Sequence, residues 1–65
     1  MKLYSIKDET SQNIALFNMN ELVRVWENHL ELSLTFEFSS GCKIQVKKYI
    51  AYPLLEKAGI EIESI

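Results

Sequence analysis

A nucleophilic dyad in this chain would have to join Cys42 to His29, because the 65 residues hold one cysteine and one histidine. Such a thiol needs a neighbouring base to draw off its proton. The residues between them argue against that meeting. From Leu30 the chain reads LELSLTFEF, in which Leu30, Leu32, Leu34, Phe36 and Phe38 alternate with Glu31, Ser33, Thr35 and Glu37. A period of two marks a strand with one buried face. His29 then falls in the turn that opens this strand and Cys42 just beyond the turn that closes it, and eight steps of about 3.3 Å hold the two ends roughly 26 Å apart. Cys42 is expected to be a small buried hydrophobe in phase with Ile44 and Val46, and His29 a solvated turn residue. With no second histidine or cysteine, no such ligand set converges on a metal. Asp8 and Glu9 lie in a polar turn, and the other acids are spread singly along strands. Gly41 and Gly59 are isolated and cannot form a phosphate-cradling loop. The expectation is a protein with no catalytic residue, no metal and no cofactor.

Two clusters retain functional content. Lys43, Lys47, Lys48, Tyr49 and Tyr52 form a basic, aromatic segment with no acid between residues 42 and 55. Lysines beside aromatics can neutralise phosphates and stack bases of single-stranded nucleic acid, while the plainer reading is a solvated sheet surface whose lysines face Glu37 and Ser33 across the strands. The second cluster is Leu22, Arg24 and Trp26, spaced two apart and so expected on one outward face of a strand. Trp and Arg are enriched in binding hot spots. The alternative places Trp26 in its own chain's core and pairs Arg24 with Glu31.

The elements that must position these residues follow from the same alternation. After Ser39, Ser40 and Gly41, apolar Cys42, Ile44 and Val46 alternate with Lys43, Gln45 and Lys47. A three-residue hairpin loop with Gly41 at positive φ sets Phe38 against Cys42, Phe36 against Ile44 and Leu34 against Val46, with Glu37 facing Lys43 and Ser33 facing Lys47. Upstream, a tight turn at Glu27-Asn28 would pair Val25 with Leu30 and Arg24 with Glu31. A helix over residues 20–32 competes with this strand, since Asn20 can cap it and Leu22, Trp26 and Leu30 recur at four-residue spacing. KLYSIK and NIALFNM suggest a further pair of strands around a turn from Asp8 to Gln12. Pro53 and Gly59 bracket LLEKA as a short helix, with a start as early as Lys48 and a kink at the proline also allowed. IEIESI reads as a terminal strand. The fold class is therefore α+β, mainly β: one domain over residues 1–65, an antiparallel meander of four or five strands with one short C-terminal helix.

Composition narrows the functions. The chain is 48% hydrophobic and 25% charged, with a formal net charge of -2. Three basic residues stand against six acids up to residue 40, and four against three beyond it. A binder of duplex DNA normally carries a basic surplus, so duplex DNA is not an expected partner. A domain of this size buries only about 60% of its unfolded surface, and an enclosed ligand site needs roughly 300 Å³. No intrachain disulfide can form, so stability must come from packing and from self-association. MKLYSIKDE lacks the apolar stretch of a secretory signal and no apolar run nears the ~18 residues of a membrane span, so a cytoplasmic protein without membrane contact is expected.

The reading is a small non-enzymatic protein-binding or accessory module, an inhibitor or regulator of a partner protein. It acts as a homo-oligomer through sheet edge and face, with Leu22, Arg24 and Trp26 as its binding residues. Short accessory proteins, including those of mobile elements, often consist of one such module, which is a prior on size alone. The alternative is a weak binder of RNA or single-stranded DNA through Lys43 to Tyr52. A third reading is an enzyme subunit completed only on oligomerisation.

Overall fold

The computed structural model describes residues 2–63. Strands β1 (Tyr4–Lys7) and β2 (Ile14–Phe17) form an antiparallel hairpin, and β3 (Leu22–Asn28), β4 (Ser33–Phe38) and β5 (Lys43–Lys47) form an antiparallel sheet in that order. Helix α1 (Lys48–Lys57) follows β5 without a loop. The expected mainly β meander with a C-terminal helix is the fold observed.

The β4 alternation builds the core. Leu34, Phe36 and Phe38 of β4 and Val46 of β5 are buried together, covered by Ile6 and Phe17 from the hairpin and by Ala51 and Leu55 from α1. Phe17 sits edge-on to Phe36 at 6.3 Å between ring centroids and tilts against Phe38 at 5.0 Å. Burying a side chain such as Phe36 contributes about 1.5 to 3 kcal/mol. The β4–β5 register is the expected one, with Leu34 opposite Val46, Phe36 opposite Ile44 and Ser33 opposite Lys47. Gly41 takes the expected positive φ, +91°.

Helix α1 ends in a Schellman motif. Ile60 N–H donates to the Leu55 carbonyl and Gly59 N–H to the Glu56 carbonyl, each at 3.0 Å, with Gly59 at φ +80°. The helix runs from the earlier of the two expected starts and contains Pro53, whose ring nitrogen has no proton for the Tyr49 carbonyl. Ile60 packs on the core, and no strand forms at Glu61, Ile62 and Glu63. The remainder of the expected terminal strand, residues 64 and 65, lies outside the described residues.

The β3–β4 connection departs from expectation. Residues 22–28 are a strand and not part of a helix, but Val25 pairs with Phe36 and Arg24 with Glu37, in place of Leu30 and Glu31. A four-residue loop follows Asn28, passes through a 3₁₀ turn at His29–Glu31, and ends on Leu32 at φ +52°. Leu30 and Leu32 are exposed at 101% and 67%. The cause lies in the covering layer. The chain leaves β5 for α1 at Lys48, with Lys48 N–H on the Leu32 carbonyl at 2.9 Å, so a strand prolonged through Leu30 would find neither a β5 partner nor a covered face. Asn28 secures this end of the sheet by donating to Ser33 Oγ at 3.2 Å and Thr35 Oγ1 at 2.9 Å.

Cys42 is a second correction. It is exposed, not buried in phase with Ile44. Phe38 N–H still donates to its carbonyl at 2.9 Å, but β5 begins at Lys43. The Cys42 side chain stands at the rim of a groove of about 410 Å³ lined also by Ala15, Phe17, Phe38 and Ile44. Among the described residues no packed layer lies over it there.

Candidate functional site

The three-stranded sheet has two edges, and the chain treats them differently. The β5 edge is capped by the turn between β1 and β2. Asp8 Oδ1 accepts Gln45 N–H at 2.9 Å, and Glu9 N–H donates to the Gln45 carbonyl at 2.8 Å. Asp8 also accepts Thr10 N–H at 3.1 Å and the Ser11 hydroxyl at 2.8 Å. Burial pushes the Asp8 carboxyl up, but its hydrogen bonds from Gln45, Ser11 and Thr10 together outweigh that effect and hold it below its ordinary range.

The β3 edge is open: among the described residues no strand pairs with its other side. Ladder alternation fixes what it presents. Phe38 N–H donates to the Cys42 carbonyl on the β5 side of β4, whereas Ser39 N–H donates to the Glu21 carbonyl at 2.7 Å on the β3 side. Even residues of β4 therefore bond to β5, and odd ones bond to β3 through Arg24, Trp26 and Asn28. Val25 and Glu27 are left with N–H and C=O groups pointing away from the sheet.

Side chains along this edge divide between the two faces. On the outer face the Arg24 guanidinium donates to Glu37 Oε1 from Nε at 3.0 Å and from Nη2 at 2.7 Å, and lies 5.0 Å from the Trp26 ring centroid. Trp26 is 37% exposed. Leu22 does not join them, contrary to the expected trio. A bulge between Leu22 and Arg24 makes Val23 an extra residue, which returns Leu22 opposite Phe38 and onto the core. Val23 is exposed at 62% in its place. Arg24 meets Glu37, six residues beyond the expected Glu31.

On the inner face, Leu22 and Val25 line a groove of about 210 Å³ whose far wall is Tyr52, Leu55, Ile60 and Ile62. Glu27 closes one end. Its carboxylate accepts the Tyr52 hydroxyl and Lys48 Nζ at 3.3 Å, and lies 3.1 Å from His29 Nδ1. The Tyr52 hydrogen bond, then Lys48 and His29, hold the Glu27 carboxyl below its ordinary range against the opposing effect of desolvation, and the Tyr52 phenol is pushed up in return. Reading by residue type missed Glu27. The signal was present, because Glu27 falls in phase with Val25 and so puts a carboxylate on the apolar side of the strand.

The basic segment does not form one surface. Lys48 and Tyr52 turn toward Glu27, Lys43 stands opposite Glu37, and Lys47 Nζ lies 6.0 Å from the centroid of the Tyr49 ring. Tyr49 is 71% exposed. His29 and Cys42 lie beyond opposite ends of β4, both exposed, so they do not form a dyad.

No protein-family model matches this chain, and no curated protein and no solved structure matches it. Among the described residues no helix is long and apolar enough to cross a membrane. The geometry defines a small sheet module with one capped edge and one edge open for pairing.

Proposed function

We propose that this chain is a non-enzymatic protein-binding module whose partner adds a strand along β3. The observation that supports the reading is the contrast between the edges. Gln45 on β5 is satisfied within the chain, while Val25 and Glu27 present backbone groups outward beside an apolar groove and the Arg24–Trp26 pair. An extended segment gains main-chain hydrogen bonds there, and its alternate side chains enter the groove. The nucleic-acid alternative loses Lys48 and Tyr52 to Glu27, which leaves Lys43, Lys47 and Tyr49 for a phosphate-bearing ligand.

A displayed library of random extended peptides, selected on the immobilised protein, tests this reading. Selected peptides should shift the amide resonances of Val25 and Glu27, and Trp26→Ala, folded by circular dichroism, should bind them at least about tenfold more weakly. Shifts confined to Lys43, Lys47 and Tyr49 on titration with single-stranded oligonucleotide, with no peptide acting on β3, would overturn it. Unfolding of Trp26→Ala would assign that ring to the core, and the amide shifts of the unaltered protein would then decide.

A further inference from the structure

We propose that the strand received by β3 is the β3 of a second copy, running antiparallel about a two-fold axis at Val25, so that Arg24 of each copy faces Trp26 of the other. This rests on the strand-addition reading and adds the partner and the register.

Few registers are open. Outward-facing residues must meet outward-facing residues for the ladder to form, so a two-fold axis falls at residue 24, 25, 26 or 27. An axis at Arg24 sets two guanidinium groups against each other, and an axis at Glu27 sets two carboxylates against each other. Like charges directly opposite are destabilising. An axis at Trp26 stacks the two indoles but places each Glu27 carboxylate against a Val25 on the inner face. An axis at Val25 sets residues 23 to 27 of the two copies side by side, and the bulge at Val23 ends the regular ladder there. The two valines then meet on the inner face beside their grooves. Each Glu27 falls opposite Val23, which is 62% exposed and leaves the carboxylate near water.

Self-complementarity is what singles out a second copy. A two-fold interface uses the same patch twice, so the patch must carry both halves of each contact. Here a cation and an aromatic ring flank Val25 at equal distance along the strand. Guanidinium and indole already stack within one chain at 5.0 Å, and on the outer face the four side chains of two copies would interleave. The capped edge sets the size of the assembly. With Gln45 bonded to Asp8 and Glu9, β5 offers no matching ladder at that point, and the joined sheet stops at two copies.

Sedimentation of the full chain over a range of concentrations should show a monomer–dimer equilibrium with no larger species. Register is read by disulfide trapping in a Cys42→Ser background, because residues facing across a non-hydrogen-bonded pair lie about 4.5 Å apart at Cα, within disulfide reach. An equimolar mixture of Arg24→Cys and Trp26→Cys chains should cross-link one kind to the other several-fold faster than either kind links to itself. Faster self-linking of Trp26→Cys, or of Arg24→Cys, overturns the register. A chain that remains monomeric throughout overturns self-pairing. If selected peptides still shift Val25 and Glu27 in that case, strand addition survives without the second copy; if they do not, both readings fall.

Discussion

The Tyr52 hydroxyl donates a hydrogen bond to the Glu27 carboxylate, tying the middle of α1 to the inner side of edge strand β3. The groove at that edge opens between these two elements, and the bond fixes one end of it.

This bond makes stability depend on pH at both extremes. The Glu27 carboxyl is held below its ordinary value of 4.5, so its contribution is complete above that pH and is lost as pH falls through the folded value. Tyr52 is raised above 10.0, so its contribution is complete below that pH and is lost as pH rises through the folded value. Tyr52→Phe should flatten both limbs of a urea-unfolding series across pH. Glu27→Gln should remove the acid limb due to this carboxylate.

Asp8→Ala should cost about 1 to 3 kcal/mol, since it strips a charged acceptor from Gln45 N–H, Thr10 N–H and the Ser11 hydroxyl. Chemical denaturation measures this loss. The same variant uncaps β5, so sedimentation at high concentration should reveal species larger than a dimer. In the unaltered protein, the depressed Asp8 carboxyl contributes stability above its ordinary value of 3.8, which is lost as pH falls through the lower folded value.

Cys42 should react readily with a thiol reagent in the native protein, at a rate close to that in denaturant, because its side chain is exposed. Cys42→Ser should change stability by no more than about 0.5 kcal/mol, as expected at an exposed site. Timed labelling followed by mass measurement checks the first statement and a melting curve the second.

Leu32→Gly should raise stability by about 0.5 to 1 kcal/mol. Leu32 holds φ +52° with 67% of its surface exposed, so glycine relieves a left-handed backbone at little loss of packing. The gain is reduced by the greater freedom of glycine in the unfolded chain. Unfolding in denaturant measures the balance.

Much of the fold was legible because alternation reports which side chains share a face. Phe36 with Ile44, and Leu34 with Val46, followed from apolar phase and the Gly41 turn, and the structure pairs them so. The hairpin of Tyr4 to Phe17 and the helix before Gly59 were legible from the same local signals. Alternation also misled. It runs unbroken back to Leu30, yet the strand starts at Ser33, because periodicity carries no information about where the covering layer ends. Leu22 was placed outward by counting in twos from Trp26, and one extra residue at Val23 reversed it.

Residue type and phase alone determined the buried face of β4, its register with β5 and the helix stop, all of which rest on contacts within a few residues or across one tight turn. Tertiary structure alone decided which edge is open. Asp8 reaches Gln45 across 37 residues to close β5, and Tyr52 reaches Glu27 across 25 to set the wall beside β3. Such contacts depend on how hairpin and helix settle on the sheet, and a one-dimensional pattern has no term for the elements that cover it.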